Sequence, residues 1–461
     1  MEIDEYSRVF FQMEMEESLF SIRTPLGDPF WDVVRFEIYF SFFFKREEVR
    51  YPLRSPRTRH LLSWMGIIGS SPSKIWSMAN QWARFKRIRP ADFVAFVCSR
   101  YKDVNGEPTD FASEDMVNAL SERGSIQRIE SRQNLLQDVN VNTLISVAAR
   151  VYRLPASYEQ YFHDVTIMIA DAQRKHLGVA DPQLLNVIRR TYRNHLLERR
   201  IWGEILDRSK PRLVLMTQNG IQKGLILEAR KRNIPIVECQ HGDVTETHPS
   251  YSYPPLLEAG ETVLLPDVLL LFSEHWKRQC SMPGTKLVVV GNNHFSTMDA
   301  RSTRTGAVVI ASAGPYHNYL SPLAVELARS MPDREFIMKL HPSWLSDRAM
   351  IEKGFAGIPN LTVVGAEKSI PELMEDASDM IVGQSTAAYE ALDRGVPVHI
   401  PRIDGYTWHK DLFALPDVHL FSTVEELQST LFKPMKCPEH TPQFFAAFDP
   451  IVFRELVHSL Q

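Results

Sequence analysis

The stretch MIVGQSTAAYEALDRGVPVHIP, Met380 to Pro401, constrains the fold more than any other part of the chain. Met380 to Val382 is a short apolar run of strand length. Gly383-Gln384-Ser385-Thr386 is turn-like. Ala387 to Arg394 has the composition of a helix, Gly395 ends it, and Pro397 to Ile400 is apolar again. Strand, turn, helix and strand in so few residues predict a βαβ unit, and hence a parallel sheet. Ligands of such sheets bind at the carboxyl ends of the strands.

A second polar motif follows another apolar run. In FIMKLHPS, Phe336 to Leu340 predicts a strand, and His341-Pro342 stops it, because proline fixes the backbone and has no N–H for the ladder. Lys339 alternates onto the face of His341. Ser385-Thr386 opening a helix offers N–H groups, hydroxyls and the positive dipole end, a combination suited to phosphate. Alone, His-Pro is an ordinary strand terminus and Ser-Thr an ordinary cap. Together, on consecutive units of one sheet, they predict a shared nucleotide-phosphate pocket of His341, Pro342, Ser385 and Thr386, with Lys339 adding charge. Glu390, one turn beyond Thr386, is placed for ribose hydroxyls or is a plain helix-surface carboxylate. Gly314 and Gly383 are expected to let the backbone approach the donor closely. Neither a Walker A sequence nor a GxGxxG fingerprint is present.

The first half repeats the pattern. Ala91 to Cys98, Ile126 to Ile129, Leu213 to Met216, Ile234 to Cys239, Val268 to Phe272 and Leu287 to Val290 predict strands. Glu114 to Leu120, Pro182 to Asp207 and Ile221 to Arg230 predict helices. Ile234 to Cys239 ends in Gln240-His241-Gly242-Asp243, where Gly242 permits a tight turn. His241 and Asp243 are candidates to take a proton from an attacking hydroxyl, against the plainer reading of a satisfied polar loop. After Met298 to Gly306, small and polar, the strand pattern restarts at Ala307 to Ala311. Ser321-Pro322 predicts a helix start, and Ser369/Glu372 and Thr423/Glu426 predict capping boxes. With no HExxH and no isolated DxD at a strand end, no obligatory metal or other cofactor is expected.

A net charge of −4 over 461 residues argues against a nucleic-acid partner. Cys98, Cys239, Cys280 and Cys437 form no CxxC pair and are expected as free thiols, as in the cytosol. The acidic start MEIDEYSRVF lacks a signal-peptide pattern, and no run of about 18 apolar residues predicts a membrane span. Phe30 to Phe44 (FWDVVRFEIYFSFFF) is dense in aromatics and is followed by Lys45, Arg46, Arg50, Arg54, Arg57 and Arg59. It is core, or else Phe30 to Arg59 is a peripheral contact with anionic lipid at the inner face of a membrane.

QHG at Gln240 to Gly242, KLHP at Lys339 to Pro342 and STAAYEALDRGVPV at Ser385 to Val398 resemble bacterial GT-B glycosyltransferases that build capsule, O-antigen and related lipopolysaccharide or surface glycans. The His-Pro and Ser/Thr pair is similar to that of sialyltransferases and Kdo transferases, and of teichoic-acid glycerophosphotransferases. The resemblance implies an α/β fold of two Rossmann-like domains facing a cleft. The acceptor domain would span 1–297, the linker 298–306 and the nucleotide-sugar domain 307–446. A helix in 447–461 would return to the first domain. It implies a nucleotide-sugar donor, CMP-linked by preference, and a glycan or lipid-linked glycan acceptor. The alternatives are a UDP-sugar 2-epimerase, a CDP-polyol phosphotransferase and a non-catalytic scaffold of the same fold.

Overall fold

The computed structural model describes residues 3–50, 80–98, 101–102, 108–131, 139–254, 263–296, 306–312, 316–433 and 444–460. In the first half lie strands β1 (Phe93–Val97), β2 (Tyr101–Lys102), β3 (Pro108–Thr109), β4 (Ile126–Glu130), β5 (Val139–Asn140), β6 (Leu213–Thr217), β7 (Ile236–Cys239), β8 (Val268–Leu271) and β9 (Lys286–Val289). β2 and β3 form a small antiparallel ribbon. The others form one parallel sheet in the order β5-β4-β1-β6-β7-β8-β9. β1, β6, β7 and β8 are buried along their whole length, which is why they read as unbroken apolar runs.

The second half contains β10 (Val308–Ala311), β11 (Phe336–Lys339), β12 (Leu361–Val364), β13 (Asp379–Val382), β14 (Val398–Pro401) and β15 (Val418–Phe421). They form a second parallel sheet in the order β12-β11-β10-β13-β14-β15. In each sheet the strand order reverses once, between β1 and β6 and between β10 and β13. Reversal opens a crevice at the carboxyl ends, where adjoining connections leave to opposite faces. The α/β class with two Rossmann-like domains is therefore as expected. β12 was not anticipated, and it separates the two motifs in sequence. In space β10 lies between β11 and β13. The His341 and Ser385-Thr386 motifs are thus not on consecutive units but two strand spacings apart, about 10 Å. The helix predicted to start at Ser321-Pro322 begins at His317 instead and runs to Ser330 with Pro322 inside it. Ser369 and Glu372 do form a reciprocal capping box. Thr423 caps Glu426 N–H, while the Glu426 carboxylate accepts from Ser422 rather than Thr423.

Helix Phe30–Arg50 packs mainly against helix Leu184–Ser209, and Ile3–Glu16 against helix Ser157–Leu177 and the segment Tyr406–Leu412. Phe30, Trp31, Val34, Ile38, Tyr39, Phe42 and Phe43 are all buried, so this part of the aromatic segment is core. These residues follow the core reading, while Phe36 and Phe40 are half-buried. The side chains from Phe44 through Arg59 lie outside the described residues. Among the described residues no helix is long and apolar enough to cross a membrane. Cys98, Cys239 and Cys280 are free thiols, and Cys437 lies outside the described residues.

The N-terminal helices carry buried charge. Glu14 and Arg35 pair at 2.5 Å, both essentially unexposed. Arg35 also donates to the carbonyls of Pro249 and of Ser252, the latter at 2.9 Å. Tyr39 donates to Thr247 O at 3.0 Å. These bonds tie the helical pair to the loop that follows β7. The helix Pro450–Ser459 places Phe453, Leu456 and Val457 in one apolar cluster with Phe93, Ala95 and Leu213 of the first sheet. Arg454 pairs with Glu122 at 2.5 Å.

Candidate functional site

The loop after β7 carries Gln240-His241-Gly242-Asp243. Gln240 is buried, and it accepts from Phe272 N–H at 2.9 Å and donates to Gly242 O at 2.9 Å. It therefore clamps the loop that presents His241. The His241 ring sits with Nδ1 3.4 Å from Tyr251 Oη. Gly242 has no positive φ, so the tight turn expected there does not depend on glycine's conformational freedom. Its Cβ position is 4.0 Å from Thr386 Cγ2 and meets nothing nearer. The loop of the first sheet thus faces the turn after β13 of the second, across the cleft.

At that turn, Ser385 rather than Thr386 caps the helix Ala387–Asp393: its Oγ accepts from Ala387 N–H at 3.3 Å, whereas Thr386 makes no capping bond. The Ser385 N–H, expected to point at phosphate, donates to His409 Nε2 at 3.1 Å. That N–H is thus engaged, and the Ser385 hydroxyl hydrogen is not used in the capping bond. Gly383 also lies close under Tyr316. An added Cβ there would lie 3.0 Å from the Tyr316 ring, which would have to give way. Tyr316 Oη reaches Gln384 Oε1 at 3.4 Å. Gly314 lies outside the described residues.

His341 ends the extension of β11 and caps the 3-10 turn Pro342–Asp347, with Pro342 at its first position. Its Nδ1 accepts from Ser343 N–H at 3.2 Å and lies 2.8 Å from Ser343 Oγ. With Nδ1 accepting, the neutral ring carries its proton on Nε2 and is a hydrogen-bond donor there. The ring is exposed at the carboxyl edge of the sheet. Lys339 points elsewhere: its ammonium donates to Gly365 O, on the β12 side. Burial pushes its pKa down, against the pull of Glu367 and Glu372. Glu390 is 6% exposed. Burial raises it to about 7 despite the Arg394 guanidinium. It is no surface carboxylate.

The 3-10 segment Tyr406–Leu412 gathers the rest. Trp408 donates its indole N–H to the Asp243 carboxylate. His409 is fully buried, touching Ser385 N as above and lying 3.1 Å from Gly383 O. Burial pushes its pKa down, opposed by Asp243 and Asp411. Asp243 is driven up by burial, opposed by His409 and Trp408. Asp411 accepts from Tyr389 Oη at 3.0 Å and faces His275 Nε2 at 3.0 Å. The Trp276 ring packs on Tyr389 with centroids 4.6 Å apart. Lys410 pairs with Glu246. Beside these contacts is a cavity of about 350 Å³ lined by Thr245, Glu246, Thr247, Gln279, Thr407 and Lys410 among others. Among the described residues no three His, Cys, Asp or Glu side chains are grouped to hold a metal ion.

The structure therefore brings together Gly242, Asp243, Gly383, Ser385 and Thr386 at the cleft, with His241 at its rim. His341 is two strands away, and Lys339 and Glu390 are turned to other partners. Tyr316, Tyr389, Trp408, His409 and Asp411 were missed. For Trp408, His409 and Asp411 the sequence signal was an aromatic and histidine excess in GYTWHKD, which has many ordinary explanations; Tyr316 and Tyr389 lie outside it.

No protein-family model matches the chain, and no curated protein matches it by sequence. Among solved structures, it is similar to the UDP-GlcNAc 2-epimerase of Neisseria meningitidis bound to UDP-GlcNAc, at 13% identity over 80% of this chain and 99% of that one, TM-score 0.44. The UDP-GlcNAc 2-epimerase of Methanocaldococcus jannaschii in complex with UDP-GlcNAc and UDP is 12% identical over 80% and 99%, TM-score 0.46. The calicheamicin glycosyltransferase is 13% identical over 81% and 94%, TM-score 0.44. Likenesses this remote carry no weight for the reaction or the substrate.

Proposed function

We propose that this chain is a metal-independent, inverting glycosyltransferase. It would move a sugar from a nucleotide-activated donor, CMP-linked by preference, to a hydroxyl of a cell-surface glycan. The observation that supports this most is the meeting of Gly242 and Thr386 across the cleft. It sets a loop carrying an imidazole and a carboxylate against the strand-reversal edge of a second parallel sheet, where nucleotide phosphates bind.

In this reading the donor lies along the carboxyl ends of β10, β11 and β13. His341 Nε2–H and the Ser385 hydroxyl donate to its phosphate oxygens, stabilising the leaving group electrostatically. His241 takes the proton of the acceptor hydroxyl. Asp243 is the weaker candidate for base, since Trp408 already holds its carboxylate. Closure through Tyr406–Leu412 excludes water and so limits hydrolysis of the donor.

The test begins with thermal-shift screening of the full chain against CMP, CDP, UDP and GDP, followed by product analysis with the corresponding donors. Sugar transfer to an added glycan supports the proposal. Conversion of a UDP-sugar to its epimer without acceptor would make the chain an epimerase. A product that keeps a phosphate would make it a phosphotransferase, and no response to any nucleotide would leave a scaffold.

A further inference from the structure

Behind His241 lies a buried carboxylate that the proposed chemistry leaves unused. Glu238 is in the middle of the first sheet, on β7, with no exposed surface. A charged side chain in such a place requires partners, or burial would exclude it. Three donors converge on it. Oε1 accepts from Asn219 N–H at 2.9 Å and from Tyr251 O–H at 3.1 Å, and Oε2 accepts from Asn219 Nδ2 at 2.8 Å. Asn219 is itself held through Oδ1, 3.4 Å from the buried Lys223 ammonium, which in turn faces Asp32 at 3.2 Å. Burial raises the pKa of Glu238, while Asn219, Tyr251 and the Lys223 ammonium pull it down.

Tyr251 is 1% exposed, and its hydroxyl stands between Glu238 and His241, 3.4 Å from His241 Nδ1. A phenol has one proton. Given to the carboxylate, it leaves the phenolic oxygen only as an acceptor toward the imidazole. Nδ1 must then carry the ring proton, and Nε2 is the basic nitrogen.

We infer that Glu238 and Tyr251 are positioning residues which, as a carboxylate–phenol–imidazole relay, fix His241 in the tautomer that makes Nε2 the base. This rests on the reading of His241 as the group that deprotonates the acceptor. In the step itself, the acceptor oxygen forms its bond to the anomeric carbon as its O–H bond breaks. The proton goes to His241 Nε2, and the phosphate oxygen leaves with the electron pair of the broken glycosidic bond. The Nδ1–H stays on the ring throughout, bonded to Tyr251, and spreads the new positive charge toward Glu238. Neither Tyr251 nor Glu238 changes its proton count.

Two-bond ¹⁵N–¹H correlation spectra of the full chain labelled on histidine nitrogen read the tautomer directly, with His241→Ala assigning the signal. In the unaltered chain His241 should be protonated on Nδ1. Tyr251→Phe keeps the ring that packs beside His248, centroids 4.8 Å apart, so the loop should still fold. It should move His241 toward the Nε2–H form, and Glu238→Gln should do the same. With an active donor, kcat should fall by about 10- to 100-fold in Tyr251→Phe, less than the 10²–10⁴ of losing a general base outright, and donor KM should hold. An Nε2–H tautomer in the unaltered chain, or a tautomer indifferent to both substitutions, overturns the relay. If no donor is turned over but the tautomer follows Tyr251, the relay stands and the glycosyltransferase reading falls.

Discussion

Trp408 and Asp243, on opposite sides of the cleft, are joined by an indole N–H donated to a carboxylate. Burial disfavours the charged carboxylate, so its remaining partners matter more than they would on a surface. Trp408→Phe removes the indole donor and leaves the carboxylate to His409 and a backbone N–H, with an expected cost of about 1–3 kcal/mol. Asp243→Asn keeps an acceptor and should cost less. Urea unfolding of both variants checks the order. If Asp243→Asn is the more damaging, the charge and not the bond holds the cleft shut.

Removing one partner of the Glu14–Arg35 pair should be far worse than removing both. Arg35→Met strands a buried carboxylate and should cost about 3–5 kcal/mol. Adding Glu14→Leu to it should recover part of that loss. Recovery will be incomplete, because the carbonyls of Pro249 and Ser252 also lose a donor. Equilibrium denaturation of the single and double variants is the measurement, and additive losses would deny the coupling.

Two buried groups give opposite pH dependences. His248 sits among Phe36, Phe40, Tyr251 and Trp408, and burial pushes it down to about 3. Unfolded, it protonates near the ordinary value of about 6.5. The unfolded chain therefore binds the extra proton between these values, and stability is lost as pH falls below about 6.5. His248→Asn should reduce that slope by up to about 1.4 kcal/mol per pH unit. Glu198 is raised to about 8 by burial, though Gly224 and Leu225 N–H groups donate to it. Here the folded chain binds the proton more tightly, so stability falls as pH rises from about 4.3 toward 8. Glu198→Gln should remove the decline between about pH 4.3 and 8 and leave the His248 loss below about 6.5 in place. Melting curves across pH 4 to 9 separate the two.

His341→Ala should weaken nucleotide binding by about 1–3 kcal/mol, the range for a hydrogen bond to a charged group. Titration calorimetry with whichever nucleotide raises the melting temperature decides it, and unchanged affinity would remove His341 from the site.

The βαβ units were legible because a parallel strand buried on both faces has to be apolar throughout, as Phe93–Val97 and Asp379–Val382 nearly are. Leu361–Val364 escaped notice: LTVV has one exposed residue and lies in a polar stretch. His241 and Ser385 could be singled out because a glycine or a cap marks the turn that carries them. Trp408 and His409 were not, because what gives them their role is a partner more than twenty residues away, Asp243 in one case and Ser385 in the other. The same holds for Glu238, whose strand looked apolar apart from one charge.

Phe453, Leu456 and Val457 share a cluster with Phe93, Ala95 and Leu213. A chain made from its amino end therefore cannot finish the hydrophobic interior of its earlier half until some hundred and forty residues beyond β10 have followed. The earlier domain thus stays incompletely sealed until a helix encoded near position 450 has been made.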